Sequence, residues 1–424
     1  MKKLLLIALM CSAAAAFAVP LTVTDVSARQ RWPWNGVVDV DFKIGGASIA
    51  DIFKGEIHAM YAGGTKKIIG RTYLSEPLRG PGRNRLTWDF GADCPETKID
   101  DMQIAVGATP MPRAQLDAQN VYMVIDLSSG PNSTRNPVRY TTTAPTLVPT
   151  NDLVACAADP NRTTKLWLKR VKERTFPFGG TTNGNHGEGE FKARLSPFYI
   201  GIFELTQNQW NLVMGNWPSQ FSNETYRAAR PVEMINYEDV IGHNNWPDNK
   251  VVSDSSFVGK MRARTGLATL NLPTECQWEC VARAGSTGSA YVNANTGRFD
   301  QNSGSPSTYN EDPTVGTALV GSYNANSWGF YDCYGNVMEM CLDAYASYAD
   351  LRDLYGYDGT TPIDDPIGPS TYSTARYHVT RGGSYYNSNS RSSSYDRFYC
   401  NNSSITGTRD RRVGMRVAVS PDWQ

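Results

Sequence analysis

Apolar and polar side chains alternate along several short stretches in the first third of the chain. Residues 36–44 alternate in this way and run into two glycines, a pattern typical of a half-buried β-strand that ends in a turn. Residues 55–60, 86–90 and 121–127 predict further short strands, separated by turns rich in Gly, Pro, Asn and Ser. Because no convincing helical pattern interrupts them, these stretches predict an all-β sandwich over residues 19–145.

The pattern changes after a Pro- and Thr-rich stretch, and the sequence predicts a linker over residues 146–164. Two helices are predicted in the region that follows, residues 165–424. One begins near Gln207, and the other begins after Pro273 with Thr274 as its N-cap. The rest of this region is rich in Gly, Asn, Ser and aromatic residues, so we expect little regular secondary structure there.

Composition and charge narrow the possible functions of the chain. Apolar residues make up 40% and charged residues 19% of the 424 residues, which is typical of a globular protein. Lys+Arg and Asp+Glu both number 41, so the chain has no overall field that would attract nucleic acid. We therefore expect no nucleic-acid partner.

The first residues resemble a secretory signal peptide, predicted over residues 1–18. Lys2 and Lys3 form a positive segment, residues 4–16 are apolar, and Ala18 ends a small-residue cleavage site. No later stretch approaches the length that crosses a bilayer, so no transmembrane segment is predicted. The protein is expected to be exported to the periplasm, the cell surface or the medium.

Seven of the eight cysteines lie beyond the predicted cleavage site. They are Cys94, Cys156, Cys276, Cys280, Cys333, Cys341 and Cys400. In an oxidising compartment some of them are expected to pair, and an odd number leaves at least one thiol free. The sequence does not indicate which cysteines pair.

Six segments of the C-terminal region carry recognisable motifs. They read F-Y-I-G-I-F-E-L-T-Q at 198–207, R-P-V-E-M-I-N-Y at 230–237, L-P-T-E-C-Q-W-E-C-V-A-R-A-G at 272–285, N-S-W-G-F-Y-D-C-Y-G-N-V-M-E at 326–339, R-G-G-S-Y at 381–385 and G-M-R at 414–416. In this order they resemble the motifs of the formylglycine-generating enzyme, or sulfatase-modifying factor, family. The resemblance implies an α+β fold of the C-type-lectin-like kind with low regular secondary structure, preceded here by the sandwich.

The resemblance also implies a structural Ca²⁺ ion. Its ligands are predicted to be Asp332, the carbonyl oxygens of Gly335 and Val337, and Glu339. The residue types make physical sense, since Ca²⁺ takes carboxylate and carbonyl oxygens in flexible geometry and glycine permits a tight turn. The alternative is a turn that is capped by its own carboxylates without a metal.

The copper chemistry of the family depends on two cysteines that follow its G-G-S motif. The positions that match them here are Asn387 and Ser392. Neither side chain replaces a thiolate, which is the ligand that Cu(I) selects, and Cys400 is the only cysteine further along the chain. The sequence therefore favours a non-enzymatic role without copper. The alternative is a divergent formylglycine-generating oxidase or another metal-dependent enzyme that acts on sulfatases.

Residues 384–412 are dominated by Tyr, Ser, Asn and Arg, a composition similar to that of antibody-combining surfaces. We predict a surface here that binds a protein or glycan. The candidate contact residues are Tyr385, Tyr386, Asn387, Asn389, Arg391, Tyr395, Asp396 and Tyr399. Three alternatives stay open: a solvated scaffold loop, a variable binding protein of a diversity-generating retroelement, and a structural role in the cell envelope.

Overall fold

A computed structural model describes most of the chain. The described residues are 20–30, 37–47, 51–61, 66–70, 78–94, 102–110, 121–131, 137–180, 189–242, 251–287, 293–305, 308–370, 377–401 and 409–420. The predicted signal peptide, residues 1–18, lies outside them. In the described part of the chain no helix is both long and apolar enough to cross a membrane.

The N-terminal strands form two antiparallel sheets that share one apolar core. The first sheet has the order β1 (Thr22–Gln30), β2 (Val37–Gly45), β6 (Gly82–Asp89). In the second, β3 (Ile52–Tyr61) pairs with β4 (Lys66–Ile69), β5 (Leu78–Arg79) and β7 (Gln103–Pro110). Val40 and Phe42 of one sheet pack with Phe53 and Ile57 of the other. A short helix, α1 (Phe90–Asp93), follows β6.

The largest sheet has six strands and belongs to the C-terminal region. Its order is β14 (Leu270–Asn271), β20 (Ala418–Val419), β13 (Phe198–Gly201), β10 (Lys165–Val171), β8 (Tyr122–Asp126), β9 (Val138–Thr141). The last two strands fall within the range predicted as the sandwich, so the predicted boundary at residue 145 is wrong. The physical reason is packing, because Met123 and Ile125 of β8 are buried with Leu166 and Leu168 of β10.

The predicted linker, residues 146–164, is also built into the C-terminal domain. It contains two short helices, α2 (Leu153–Ala157) and α3 (Pro160–Thr163). Arg162 is buried; its guanidinium forms an ion pair with Asp159 at 2.6 Å and donates a hydrogen bond to the carbonyl of Val320 at 2.9 Å. A buried ion pair anchors this segment, so it is a structural part of the domain rather than a spacer.

Both predicted helices are confirmed, and three others accompany them. α4 (Gln207–Met214) begins at Thr206, and α7 (Glu275–Arg283) begins at Thr274; both cap residues form capping boxes. The other helices are α5 (Tyr237–Val240), α6 (Phe257–Thr265) and α8 (Tyr348–Leu354). Every residue of α7 is buried, which places this helix at the centre of the domain.

Two smaller sheets complete the domain. One has the order β11 (Arg174–Gly180), β12 (Gly189–Leu195), β16 (Ile363–Asp364), and the other β18 (Arg397–Asn401), β17 (Tyr377–Arg381), β15 (Met338–Ala344), β19 (Val413–Gly414). Single 3₁₀ turns lie at Arg227–Ala229 and Asn389–Arg391. Between α7 and β15 the described residues contain neither helix nor strand. The low regularity expected of this domain is confirmed.

Candidate functional site

The predicted calcium segment is a buried turn that leads into β15. Asp332 and Asn336 adopt left-handed backbone conformations, with φ of 52° and 60°. Gly335 has no room for a side chain, because a Cβ there would lie 1.9 Å from the carbonyl oxygen of Arg298. The turn is held in place by a hydrogen bond from the Gly335 amide to the carbonyl of Gly382 at 2.8 Å.

The two predicted carboxylate ligands have different surroundings. The Oδ2 atom of Asp332 accepts a hydrogen bond from the Gly321 amide at 2.6 Å, whereas its Oδ1 atom is buried without a hydrogen-bond partner. Both oxygens of Glu339 are already bound: Arg416 forms a two-point ion pair with them, and the indole of Trp278 donates to one at 2.9 Å.

A third buried carboxylate, Glu204, completes this cluster. It accepts hydrogen bonds from the Asn336 side chain at 2.6 Å and from the Val337 amide at 3.0 Å. Burial, together with the nearby Asp332 and Glu339 carboxylates, raises the pKa of Glu204 well above its usual value. Burial also raises the pKa of Asp332 to about 6. The sequence analysis identifies the motif that contains Glu204, F-E-L-T, but does not predict that this carboxylate lies beside Asp332 and Glu339.

These residues fit a calcium ion only in part. Asp332 Oδ1 offers one carboxylate oxygen that no protein group satisfies, and such buried oxygens are uncommon. Glu339, however, is engaged by Arg416 and Trp278. Within the described ranges, no three His, Cys, Asp or Glu side chains come together in a way that could hold a metal ion. Calcium at this turn therefore stays a prediction.

The predicted ligand-binding residues do not form one surface, because two of them are buried. Tyr385 is only 1% exposed and packs edge-on against Phe221, with ring centroids 5.3 Å apart. Asp396 is buried as well, and its carboxylate accepts a hydrogen bond from the Ser393 hydroxyl at 2.7 Å. These two residues support the loop from inside, and their assignment as contact residues is wrong.

The other candidates differ in exposure. Tyr386, Asn389 and Tyr399 are exposed, whereas Asn387, Arg391 and Tyr395 are half-buried. The guanidinium of Arg391 lies over the ring of Phe398 at 5.2 Å, and the carbonyl of Tyr395 accepts a hydrogen bond from buried Arg381 at 2.9 Å. The exposed aromatic side chains, 61% for Tyr386 and 54% for Tyr399, are therefore the strongest contact candidates.

Sheet order separates these two tyrosines. Tyr399 lies on β18, one edge of the four-stranded sheet, where it packs against Tyr345 and Tyr377 at 5.6 and 4.4 Å between ring centroids. Tyr386 lies beside Arg412, which directly precedes β19 at the opposite edge. Three strand spacings of about 4.8 Å put roughly 14 Å between the two edges. Tyr386 and Tyr399 therefore belong to two separate aromatic surfaces.

The surface around Tyr386 contains residues that the sequence analysis did not single out. Arg412 lies 5.8 Å from the Tyr386 ring, and Arg411 lies 5.3 Å from the ring of Tyr309. The Nε atom of Arg411 donates a hydrogen bond to the hydroxyl of Tyr385 at 3.1 Å. We call Tyr309, Tyr386, Arg411 and Arg412 the Tyr/Arg surface. The run R-D-R-R at 409–412 was a visible signal for it, but nothing in the sequence brings Tyr309 to this place.

Comparison with known proteins agrees with these motifs. The family of the Sulfatase-modifying factor enzyme 1-like domain matches residues 170–421, which is more than half of the chain. This chain belongs to the sulfatase-modifying factor family. The family range contains three of the six strands of the large sheet, β13, β14 and β20, and part of β10, whereas β8 and β9 lie before it.

Relatives in the family include enzymes and a chaperone. Chaperone protein LppX of Paenibacillus barcinonensis is 29% identical over 223 residues, covering 45% of this chain and 76% of that protein. The formylglycine-generating enzymes of Thermomonospora curvata and Streptomyces coelicolor are 29% and 28% identical, each over 47% of this chain. The match spans 54% and 56% of the length of these two enzymes.

Solved structures of similar fold include two bacterial proteins. Treponema denticola variable protein 1 is 23% identical with a TM-score of 0.46, covering 61% of this chain and 96% of that one. PvdO from Pseudomonas aeruginosa is 19% identical with a TM-score of 0.42, covering 60% of this chain and 94% of that one.

Two polar residues, Asn387 and Ser392, stand at the positions that match the copper-binding cysteines of the family. The side-chain oxygen of Asn387 accepts hydrogen bonds from the amide and hydroxyl of Ser384, at 3.0 and 2.6 Å. The hydroxyl of Ser392 is buried without a hydrogen-bond partner, and a Cβ on Gly383 would lie 2.2 Å from it. Both side chains are built into the loop, and neither is a soft metal ligand.

The seven cysteines in the described residues are all free thiols, so the expected pairing of some of them is wrong. Most lie in the core: Cys276 and Cys280 are on one face of α7, and Cys341 is on β15. Burial raises the pKa of the Cys333, Cys280 and Cys400 thiols to about 12. Buried, protonated thiols of this kind are chemically inert and act as small apolar side chains.

Proposed function

We propose that this chain is an exported, non-catalytic member of the sulfatase-modifying factor family that binds a protein or glycan through its Tyr/Arg surface. The observation that carries the proposal is the exposure of Tyr386, which is 61% accessible beside Arg412. Large aromatic side chains are costly to leave in water, and Tyr and Arg are enriched at the centres of protein interfaces.

The absence of thiols from the cysteine-pair positions supports the non-catalytic part of the proposal. A copper oxidase of this family would need two thiolates close together. Asn387 and Ser392 occupy the matching positions, and burial holds the nearest downstream thiol, Cys400, in its protonated form. Cu(I) titration of the purified protein tests this point, and O₂ uptake with a cysteine-containing sulfatase peptide accompanies it. Tight, stoichiometric Cu(I) binding with peptide-dependent O₂ uptake would move the enzyme alternative to first place.

Export is supported by the signal-like first 18 residues, with Lys2 and Lys3 followed by an apolar stretch. N-terminal sequencing of the protein recovered from the envelope or medium of an expressing bacterium tests it. The mature chain is expected to begin at Val19. Recovery of the uncleaved chain from the cytoplasm alone contradicts export.

Calcium is proposed as a structural ion at the turn 332–339. It would be held by Asp332, the carbonyl oxygens of Gly335 and Val337, and Glu339, and it would supply positive charge to this turn. The proposal is supported by the unpartnered Asp332 Oδ1 atom and by an excess of carboxylates, since Glu204, Asp332 and Glu339 lie close together and, among the described residues, only the guanidinium of Arg416 binds any of them directly, through Glu339. Metal analysis of the purified protein, before and after chelation, tests it. A calcium content of zero in both wild type and Asp332→Ala would refute the proposal.

The binding role is tested by selecting ligands from peptide and glycan libraries on the mature protein. Tyr386→Ala is expected to weaken the selected ligands by about tenfold or more, because truncating an interface tyrosine commonly costs over 1 kcal/mol. Tyr399→Ala is the matched control, since it removes a similarly exposed ring on the edge strand β18. If only Tyr399→Ala weakens binding, the site lies on β18; if neither variant does, the proposed role is wrong.

A further inference from the structure

Arg411 is held in an unusual environment for a surface guanidinium. Its Nε atom donates to the hydroxyl of Tyr385 at 3.1 Å, and its guanidinium carbon lies 5.3 Å from the ring centre of Tyr309. Burial raises the pKa of Tyr385 to about 12, so this hydroxyl is neutral at physiological pH. The hydrogen bond therefore orients the guanidinium without cancelling its charge.

The neighbouring arginines, in contrast, are neutralised by carboxylates. Arg409 pairs with Asp239 at 2.7 Å, and both Asp410 oxygens accept hydrogen bonds from Arg412. Within the described ranges Arg411 makes no ion pair, although the nearby Asp410 carboxylate also attracts it. Of the two guanidinium groups of the Tyr/Arg surface, that of Arg412 is thus paired with a carboxylate and that of Arg411 is not.

The aromatic base under Arg411 is rigid. The rings of Tyr309 and Tyr385 both pack edge-on against Phe221, with centroids 5.4 and 5.3 Å apart. Phe221 is 1% exposed, and its ring is flanked on the inner side by the guanidinium of buried Arg230, 5.0 Å away. Because the base is fixed before any ligand arrives, little side-chain entropy remains to be lost when Arg411 is engaged.

We propose that the Tyr/Arg surface binds an acidic polypeptide segment, with one Asp or Glu carboxylate on Arg411 and an adjoining apolar group on Tyr386. This inference rests on the proposed binding function and names the class of its partner. A guanidinium presents paired N–H donors that match a carboxylate, and such charge-assisted hydrogen bonds are among the stronger ones in proteins.

The charge count favours a carboxylate on a polypeptide over a polyanion. Sulfated polysaccharides and nucleic acids are bound by arrays of cations, because each neutralised phosphate or sulfate adds to affinity. Here only Arg411 lacks a carboxylate partner among the arginines of the surface, and the whole chain has a formal net charge of zero. A single oriented guanidinium between tyrosine rings suits one carboxylate and its apolar neighbours.

The test measures binding of a fluorescein-labelled peptide, (Glu-Gly)₅-Leu-Tyr, to the full mature protein by fluorescence anisotropy. The same peptide with Gln in place of Glu is the neutral probe. We expect the acidic probe to bind at least about tenfold more tightly than the neutral one, and to lose that advantage in about 0.5 M salt as charges are screened. Heparin is tested in parallel as a polyanion.

Arg411→Gln is expected to weaken the acidic probe about tenfold, which is the effect of losing one charge-assisted contact. Arg409→Gln is the matched control. It removes the same charge two residues away, but from an arginine whose guanidinium is already paired with Asp239. Arg411→Lys keeps the charge but loses the paired donors, so it is expected to fall between the two. Unchanged thermal unfolding of each variant shows that the effect is not a loss of fold.

Three results overturn this inference. Equal loss with Arg409→Gln and Arg411→Gln would mean that only net charge matters. Heparin binding that exceeds acidic-peptide binding and depends on Arg411 would assign the surface to a polyanion instead. Library ligands that depend on Tyr386 but neither prefer acidic sequences nor respond to Arg411→Gln would leave the proposed binding function standing while refuting its acidic partner.

Discussion

The sandwich and the C-terminal domain are stabilised in different ways. In the sandwich, regular strands provide the backbone hydrogen bonds and a wholly apolar cluster fills the space between two sheets. In the C-terminal domain, long irregular segments are joined by buried arginines whose guanidinium groups bind carboxylates and backbone carbonyls. These arginines are Arg162, Arg230, Arg381, Arg397 and Arg416.

The difference shows how a loop-rich chain satisfies its backbone. An irregular segment leaves carbonyl oxygens without strand partners, and buried polar groups must be hydrogen-bonded. Arg230 shows the solution, because it donates to the side chain of Thr317 and to the carbonyls of Glu311 and Val315. One guanidinium can thus bind several carbonyls at once, and such contacts replace the regular ladder of a sheet.

The largest expected effect comes from breaking one of these buried ion pairs. Arg397 forms a two-point pair with Glu275, at 2.6 and 2.8 Å, and both side chains are buried. Arg397→Met should lower the free energy of unfolding of the C-terminal domain by about 3–5 kcal/mol, because a buried carboxylate is left without its main partner. Urea unfolding followed by hydrogen exchange reads the two domains separately.

A double variant sharpens the same experiment. Glu275→Leu with Arg397→Met removes both charges, so it should recover much of the lost stability. If the double variant is as unstable as Arg397→Met alone, the network has a role in packing that charge removal does not explain. The sandwich has an apolar core of its own, so it should unfold unchanged in both variants.

The second prediction concerns the apolar core of the sandwich. Ile57 of β3 is fully buried in it, so Ile57→Ala should cost about 2–5 kcal/mol through lost burial and the cavity left behind. Ile69 of β4, in the same sheet, is 47% exposed and provides the control. Ile69→Ala should change the stability of the sandwich little, and equal losses in the two variants would contradict the assigned core.

Local patterns predicted secondary structure well but not its assembly. The cap residues Thr206 and Thr274 stand directly before α4 and α7, because an N-cap acts within its own turn. The apolar run at 121–127 likewise predicted a strand, β8, correctly. Such a run does not specify a partner strand, however, and β8 pairs with β10 rather than with the sandwich.

The candidate site was predicted less well, since it depends on which side of the chain faces solvent. Tyr385 and Tyr386 are adjacent and identical in sequence terms, yet one is buried against Phe221 and the other is exposed. Likewise, Tyr309 reaches Arg411 only because an irregular loop folds back on the domain. Side-chain direction in such loops is set by tertiary contacts, which residue patterns alone do not contain.

The third prediction uses pH to probe another buried carboxylate of the C-terminal domain. Burial raises the pKa of Glu233 from its usual 4.5 to about 7, although the amides of Gln220 and Phe221 donate to it. Between these two values the folded domain keeps a proton that the unfolded chain releases. Its free energy of unfolding should therefore fall as pH rises from about 4.5 to 7, by at most about 3 kcal/mol.

Glu233→Gln cannot release that proton, so the difference between wild type and variant isolates the contribution of Glu233. The free energy of unfolding of wild type and Glu233→Gln is measured at half-unit steps from pH 4 to 8. The two curves should approach one another near pH 4 and differ in slope between about pH 4.5 and 7. Parallel curves across the whole range would mean that Glu233 is ionised in the folded domain. The sandwich should show no such difference between the two proteins.

The smallest expected effect distinguishes two helix caps within the C-terminal domain. Thr274 caps α7, accepting a hydrogen bond from the Gln277 amide at 3.2 Å, and Ser347 caps α8 in the same way from Asp350 at 3.0 Å. Loss of a cap costs about 0.5–2 kcal/mol.

Thr274 is fully buried, so water cannot replace its hydroxyl, and the cost of Thr274→Ala should lie near the upper end of that range. The cap of α8 is exposed, so Ser347→Ala should lie near the lower end, as urea unfolding can measure. Equal costs would show that α7 is positioned by its ion pairs alone, and that the irregular domain relies even more on buried arginines than on local helix signals.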